Sequence, residues 1–316
     1  MLVSILIPCY NARQWVGQAI DSALAQTWSN IEVIVFDDGS TDGSHEVIQS
    51  YGDRIRWECG PNRGANYART RLLELARGEW VQYLDADDYL LPEKIEGQIN
   101  FIRTQSDVDV VIGPAIWEYY DANQSRQEVV EIPKDLDYWC LLASWQLPQT
   151  GAPLWRKSAI SDVGGWDPQQ PCCQEHQLYL RLLMGGKRFA HCTSKGAVYR
   201  QWSNETLCKR DISLVHARRL MIEQQLEDFL RARGELTRDR LFAINLARFE
   251  IACHAWSYDK SRAIELVRQI SKADRWFSPR GSAAPLAYRA VFHAFGFRAA
   301  ENIGEMLRKS TWGRCA

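Results

Sequence analysis

Residues 31–44 read IEVIVFDDGSTDGS: a near-continuous apolar run that ends abruptly in carboxylates, glycines and hydroxyls. A strand whose side chains are apolar on both faces is buried on both faces, which is the condition of a parallel sheet covered by helices. The eight residues DDGSTDGS after it are dense in residues that turn the chain and cap helices, and HEVIQSY then reads as a helix. The unit recurs on either side. LVSILI precedes a helical stretch from Arg13 to Gln26 with Trp15, Val16, Ala19, Ile20 and Ala23 on one face. RIRWE, the loop GPNRG, a helix through Ala76, the strand WVQYL, a helix over Pro92–Thr104 and the strand DVVIG follow. Strands alternating with helices predict an α/β fold, a mostly parallel Rossmann-like sheet with helices on both faces. Ligands of such sheets bind beyond the carboxyl ends of the strands. Pro8, Tyr10 and Asn11, the pair Asp37–Asp38, and the cluster Asp85–Asp88 all fall at such ends.

At 316 residues the chain holds one large domain or two modest ones. The formal net charge of −1 hides an asymmetry: residues 208–316 carry 20 Lys/Arg against 12 Asp/Glu, and residues 1–207 carry 18 against 27. The pattern also changes there, becoming helical from Asp211 with breaks near Gly234, SPRGSAAP and Gly296. Two regions are therefore expected, a catalytic 1–207 and a helical 208–316. In the second, Trp276, Phe277, Tyr288, Phe292, Phe295, Phe297 and Trp312 are interleaved with Arg275, Arg280, Arg289, Arg298, Arg308, Lys309 and Arg314. That mixture suits either a peripheral contact with an anionic membrane face or a helical bundle with solvated arginines. The N-terminal MLVSILIPCYNARQ has no basic leader, and nine scattered cysteines show no CxxC spacing, so a reducing cytoplasm, or the inner face of a membrane, is the expected setting. An acidic first region excludes nucleic acid as a natural partner.

The densest acidic stretch is YLDADDYLLP, residues 83–92. Carboxylates this close repel one another unless something neutralises them. Either this is a solvated turn with an Asp capping the helix near Pro92, or hard oxygen ligands here hold a divalent cation.

Taken in order, SILIPCYN, IEVIVFDDGSTDGS, NRGANYAR, ARGEWVQYLDADD, VGGWDP and QEHQLYLRLLMGGKRF resemble the motifs of family 2 glycosyltransferases, over roughly residues 1–205. Those are inverting, nucleotide-sugar-dependent enzymes of the GT-A fold. The resemblance implies that Asp87 ligates Mn²⁺ or Mg²⁺, that Asp85 binds ribose or metal, and that Asp88 is a supporting or capping residue. It implies that Asp38 recognises uracil in a pocket with Pro8, Tyr10 and Asn11. Gly64 would admit the nucleotide closely, Asp37 would cap a helix, and Arg69 would lie near the diphosphate. The base falls on Glu175, where the family has Asp, with His176 as the rival and Gln174 in the place of the family's Glu. Many relatives carry a metal-reaching His after the YR of a later loop; here the sequence is YRQWSNETLCKR, with Gln201 and Trp202 instead. Nor does the stretch have the QxxRW spacing of processive synthases, which points to single-sugar transfer, and Trp202 and Trp166 become either acceptor platforms or half-buried core. The function implied is transfer of one sugar, from a UDP-sugar, to a glycan or lipid-linked acceptor in surface polysaccharide or glycoconjugate synthesis. Two other readings stand beside it: a nucleotide-sugar-binding protein without catalysis, and a sugar nucleotidyltransferase, for which the GxGxR-type loop is missing.

Overall fold

The structure, a computed structural model, describes residues 1–312 apart from 106, 122–123, 135–136, 203–210 and 282–283; of residues 121, 124 and 307–312 it describes the backbone alone. Its packing divides the described chain into two units, residues 1–142 with 146–218, and residues 143–145 with 219–316. The expected boundary at 207/208 lies outside the described residues.

In the first unit the strands are β1 (Val3–Cys9), β2 (Ile31–Asp37), β3 (Arg56–Cys59), β4 (Trp80–Tyr83), β5 (Tyr89–Leu90), β6 (Val110–Ile112), β7 (Ala115–Asp121), β8 (Gln124–Val130), β9 (Leu154–Arg156), β10 (Phe189–His191) and β11 (Ala197–Gln201). The helices that matter to the site are α1 (Val16–Leu24), α2 (Ser44–Gln49), α3 (Ala65–Leu75), α4 (Lys94–Arg103), α5 (Tyr138–Ala143), α6 (Lys157–Asp162) and α7 (Gln174–Met184). One sheet has the order β3-β2-β1-β4-β9-β6-β10. All its pairings are parallel except those of β9, which runs antiparallel to both β4 and β6. The β1 residues Val3, Ile5, Leu6 and Ile7 are fully buried, as a central strand packed on both faces requires. From β1 the order runs to β2 and β3 on one side and to β4 on the other, so the strand order reverses at β1. A crevice opens at such a reversal, beyond the carboxyl ends of the strands.

A second sheet, β5-β11-β7-β8, grows directly from the acidic turn, because β5 begins one residue after Asp88. The sequence pattern does not announce it. Gln124–Val130 is an edge strand whose residues 125–129 are exposed, so it lacks the apolar alternation that marks a half-buried one.

In the second unit, Phe249 is ringed by Phe277, Tyr288, Phe292 and Phe297, with centroids 5.6–6.2 Å away. Leu266, Ile270 and Trp256 complete this core. Four of the aromatic residues expected at a membrane face are thus spent internally, whereas Trp276 is 80% and Phe295 76% exposed. The side chains of Arg308, Lys309 and Trp312, and all of Arg314, lie outside the described residues. Among the described residues no helix is long and apolar enough to cross a membrane. Gly296 interrupts the last helix, Leu286–Trp312, with φ 82° and ψ 175°, a conformation glycine adopts without steric cost.

Candidate active site

The β1 and β2 ends are knitted together by side chains from both. Asn11, turning in the left-handed region at φ 49°, accepts the Thr41 N–H through Oδ1 (2.8 Å) and donates its own N–H to Ser40 Oγ (2.9 Å). Asn tolerates that region better than most residues. Pro8 lies within β1, and Tyr10 beyond its end stands 51% exposed, its ring available at the crevice. Asp37 accepts the Ser40 N–H (3.0 Å) and meets His45 Nδ1 at 3.3 Å. It closes a loop turn and does not cap α2, whose cap position is Gly43. Asp38 is buried, and its two oxygens receive the N–H groups of Arg63 (2.9 Å) and Gly64 (2.7 Å). Burial raises its carboxyl above the ordinary Asp range, against those two bonds. Asp38 therefore shapes the 60–64 loop, whose Gly64 sits at φ 92° with no atom within 4 Å of where a Cβ would be.

The acidic turn follows β4 and closes with Asp88 N–H donating to the Asp85 carbonyl (3.0 Å). Its three carboxylates have three different environments. Asp85 Oδ1 accepts from Arg69 Nη2 at 2.8 Å. Asp87 Oδ2 accepts the indole N–H of Trp202 at 3.0 Å; burial, then Asp85, raises its carboxyl. Asp88 is buried, with Oδ1 accepting the Arg200 N–H (2.9 Å) and Oδ2 buried without a partner; burial, then Asp87 and Asp85, raises it far above the usual range. None of them caps α4, which starts at Lys94 with Glu93 in the cap position.

Arg69 joins this turn to α7. Its guanidinium is buried, lies 5.0 Å over the Trp166 ring, and donates to Asp85 and, through Nη1, to Gln174 Oε1 at 2.6 Å. Burial opposes its charge, but Asp85 and Glu175 more than restore it. Glu175, in the first turn of α7, is half-buried. Burial raises its carboxyl, its own backbone N–H and Arg69 pull it down, and Asp85 pushes it up again. His176, one residue on, is buried with its ring edge-on to Tyr179 (6.1 Å). The helix is preceded by Cys173 at φ 57°, a strained setting for a residue with a side chain.

Trp166 is 2% exposed, enclosed by Tyr83 (5.2 Å) and Arg69, so no sugar reaches its face; of the two expected platforms it is core. Trp202 is 47% exposed. The residues Ser203–Arg210 of its loop lie outside the described residues.

Two residues matter that the sequence reading left unassigned. Arg200 is a buried cation on β11 that donates to the Asp87 carbonyl (2.7 Å), to Tyr120 Oη (3.2 Å) and to Gln18, and packs on Trp15 and Tyr89 at 4.6 and 4.5 Å. Its one signal in sequence is an arginine ending an apolar strand, AVYR. Asn66 clamps the 166–170 turn through the carbonyls of Asp167 (2.5 Å) and Gln170 (3.0 Å).

Among the described residues no group of three or more His, Cys, Asp or Glu is arranged to hold a metal alone. Two hard carboxylates, Asp85 and Asp87, each with one oxygen engaged, beside a third with an orphaned buried oxygen, fit an Mg²⁺- or Mn²⁺-type ion that takes its remaining ligands from phosphate and water.

Residues 4–153 match the family described as glycosyl transferase family 2. An uncharacterised glycosyltransferase of Rickettsia typhi is 43% identical over 111 residues, 35% of this chain and 35% of that protein. An Escherichia coli enzyme, UDP-Glc:α-D-GlcNAc-diphosphoundecaprenol β-1,3-glucosyltransferase WfaP, is 41% identical over 107 residues, 33% of this chain and 42% of that one. The chain thus spans about 35–42% of the length of these relatives. The crystal structure of S. aureus TarS 1–349 in complex with UDP-GlcNAc superposes with a TM-score of 0.66 over 98% of this chain and 92% of that one, at 14% identity. At that identity the likeness speaks to the fold, which is the GT-A type α/β arrangement with C-terminal helices.

Proposed function

We propose that the chain, whose residues 4–153 match the family described as glycosyl transferase family 2, is an inverting, metal-dependent transferase that moves one sugar from a UDP-sugar to a glycan or lipid-linked hydroxyl. The observation that carries this reading is the Arg69 bridge, which ties Asp85 of the acidic turn to Gln174 at the start of the helix bearing Glu175. A carboxylate suited to the donor's diphosphate end through a cation, and the residue next to one suited to take a proton, thereby share one buried guanidinium. Tyr10 offers a ring to the base, and Asp38 holds the 60–64 loop in shape around it. Asp87, with Asp85, would hold the cation, whose chemistry is to neutralise charge developing on the nucleoside diphosphate as it leaves. The acceptor hydroxyl gives its proton to a Glu175 oxygen as its own oxygen attacks the anomeric carbon from the face opposite the departing diphosphate. A carboxyl raised by burial is a stronger base once ionised, which suits that task. His176, packed against Tyr179, is the poorer candidate. The likeness to the E. coli diphosphoundecaprenol-directed enzyme supports a lipid-linked acceptor, and exposed Trp276 and Phe295 in the second unit support a peripheral membrane contact.

A thermal-shift panel of nucleotide sugars with and without Mn²⁺ tests the reading, since a ligand of the native state raises its melting temperature by mass action. A metal-dependent shift with a UDP-sugar is expected; no shift with any nucleotide sugar refutes it. Slow release of UDP from the same donor separates an enzyme from a mere binder. For the membrane contact, the Trp276→Ser/Phe295→Ser protein should float less than the parent with anionic vesicles at low salt, and equal flotation refutes it.

A further inference from the structure

Beside Asp87 lies an aromatic shelf in which Trp202 and Tyr120 are exposed and Trp15 is half-buried. The rings of Trp15 and Trp202 stand 5.9 Å apart, inclined at 45°, and Tyr120 also lies 5.9 Å from Trp15. The guanidinium of Arg200 under Trp15, and the Trp202 N–H bonded to Asp87, hold these rings in place. Against the shelf is an open cavity of about 510 Å³ lined by Asn11, Arg13, Gln14, Trp15, Asp42 and Trp202. Ligand pockets span roughly 300–1,000 Å³, so this one has room for one or two sugar rings.

The composition of the walls selects the ligand. Burying aromatic faces that stand in water is favourable, and the ring C–H face of a pyranose is a flat, weakly polar surface that can do so. The rim mixes a carboxylate, two amides and a guanidinium, which together donate to and accept from a ring of hydroxyls. A phosphate finds no net positive charge here, because Asp42 offsets Arg13. Tyr10, the ring proposed above for the nucleobase, is not among the lining residues. We propose that this cavity binds a neutral pyranosyl unit of the acceptor glycan, with Trp202 forming the wall it shares with the donor's diphosphate end. The proposal rests on the reading of Asp87 as a donor-site residue. It gives Trp202 a role in place of the metal-reaching His of other family members: its N–H orients Asp87 while its ring faces the acceptor.

Saturation-transfer NMR tests it, with methyl β-D-glucopyranoside and methyl 2-acetamido-2-deoxy-β-D-glucopyranoside as probes, with and without saturating UDP and diamagnetic Mg²⁺. At least one glycoside should receive saturation on its ring C–H protons, undiminished by UDP–Mg²⁺, and its dissociation constant should rise at least tenfold in Trp15→Leu. Gln14 is exposed and free of the core, so Gln14→Ala should weaken binding severalfold without affecting folding. Absence of binding by both glycosides, or binding unchanged in both variants, overturns the proposal. Displacement of the glycoside by UDP–Mg²⁺ also overturns it, assigning the cavity to the donor. A parallel UDP titration reads the donor site independently: a chain that binds UDP but neither glycoside loses this inference alone, and one that fails to bind UDP loses the function proposed above.

Discussion

Replacing Arg69 with methionine keeps an unbranched stem against Trp166 but deletes the guanidinium that holds Asp85 at 2.8 Å and Gln174 at 2.6 Å. Removing one member of a buried ion pair costs about 3–5 kcal/mol when the other is left in low dielectric. Here the Asp85 side chain is 28% exposed and water can rehydrate it, so the cost falls to about 2–3 kcal/mol. For a unit of this size each kcal/mol moves the melting temperature by about 2–4 °C, which puts the expected fall at about 4–12 °C. A calorimetric scan at low ionic strength reads it, and a cycle with Asp85→Asn should return a coupling above about 1 kcal/mol. The same change should move chemistry in a defined direction. Arg69 lowers the Glu175 carboxyl, so without it Glu175 ionises at higher pH and the acid limb of the turnover profile shifts upward. A variant melting within about 1 °C of the parent, with an unmoved acid limb, refutes the idea that this residue joins turn and helix.

Glu175→Gln should reduce turnover by about 10²–10⁴-fold while leaving UDP binding intact. Because burial raises the folded-state carboxyl above its unfolded value, ionising it costs stability at neutral pH; the Gln variant should therefore melt at or above the parent at pH 7.5, with the gap closing below the ordinary Glu range near about 4.3. A lower melting temperature at pH 7.5 refutes that sign. Asp87→Asn should abolish the Mn²⁺-dependent shift caused by UDP-sugar without lowering the melting temperature of the free protein, and a retained shift sinks the metal assignment. Arg200→Met should destabilise by about 3–5 kcal/mol, because it leaves the buried Glu118 carboxylate without its cation and the Asp87 carbonyl without its donor; calorimetry showing less than about 1 kcal/mol would mean that the cation is not the brace described.

How far the sequence speaks depends on whether a residue's role is local. IEVIVFDDGSTDGS announces strand, turn and helix because each role depends on neighbours within a few positions, and β2 and α2 lie where that pattern puts them. The turn that holds Asp85 and Asp87 at the end of β4 is legible for the same reason. Arg69 is visible as an arginine but not as a bridge, since Gln174 lies 105 residues away. Arg200, paired with the acidic turn across more than 110 residues, and the β7–β8 hairpin, paired with a strand about 80 residues further on, are decided by tertiary contacts. The burial of Trp166 is likewise set by Tyr83 and Arg69, not by the VGGWDP around it.

The antiparallel β9 has a bearing on how the chain reaches this state. Leu154 and Trp155 are fully buried, and their strand fills the space between β4 and β6. Until residue 156 is in place, β4 and β6 each present a bare, apolar edge, the kind of surface that recruits other chains. The stretch that matches the family ends at residue 153, one position before that strand. A fragment cut to match it should aggregate on expression, whereas one continued through β10 and β11 keeps both edges covered. Nascent chains meet the same hazard for the time it takes to synthesise β5 through β9, which makes closure by β9 the step at which this sheet becomes safe from its neighbours.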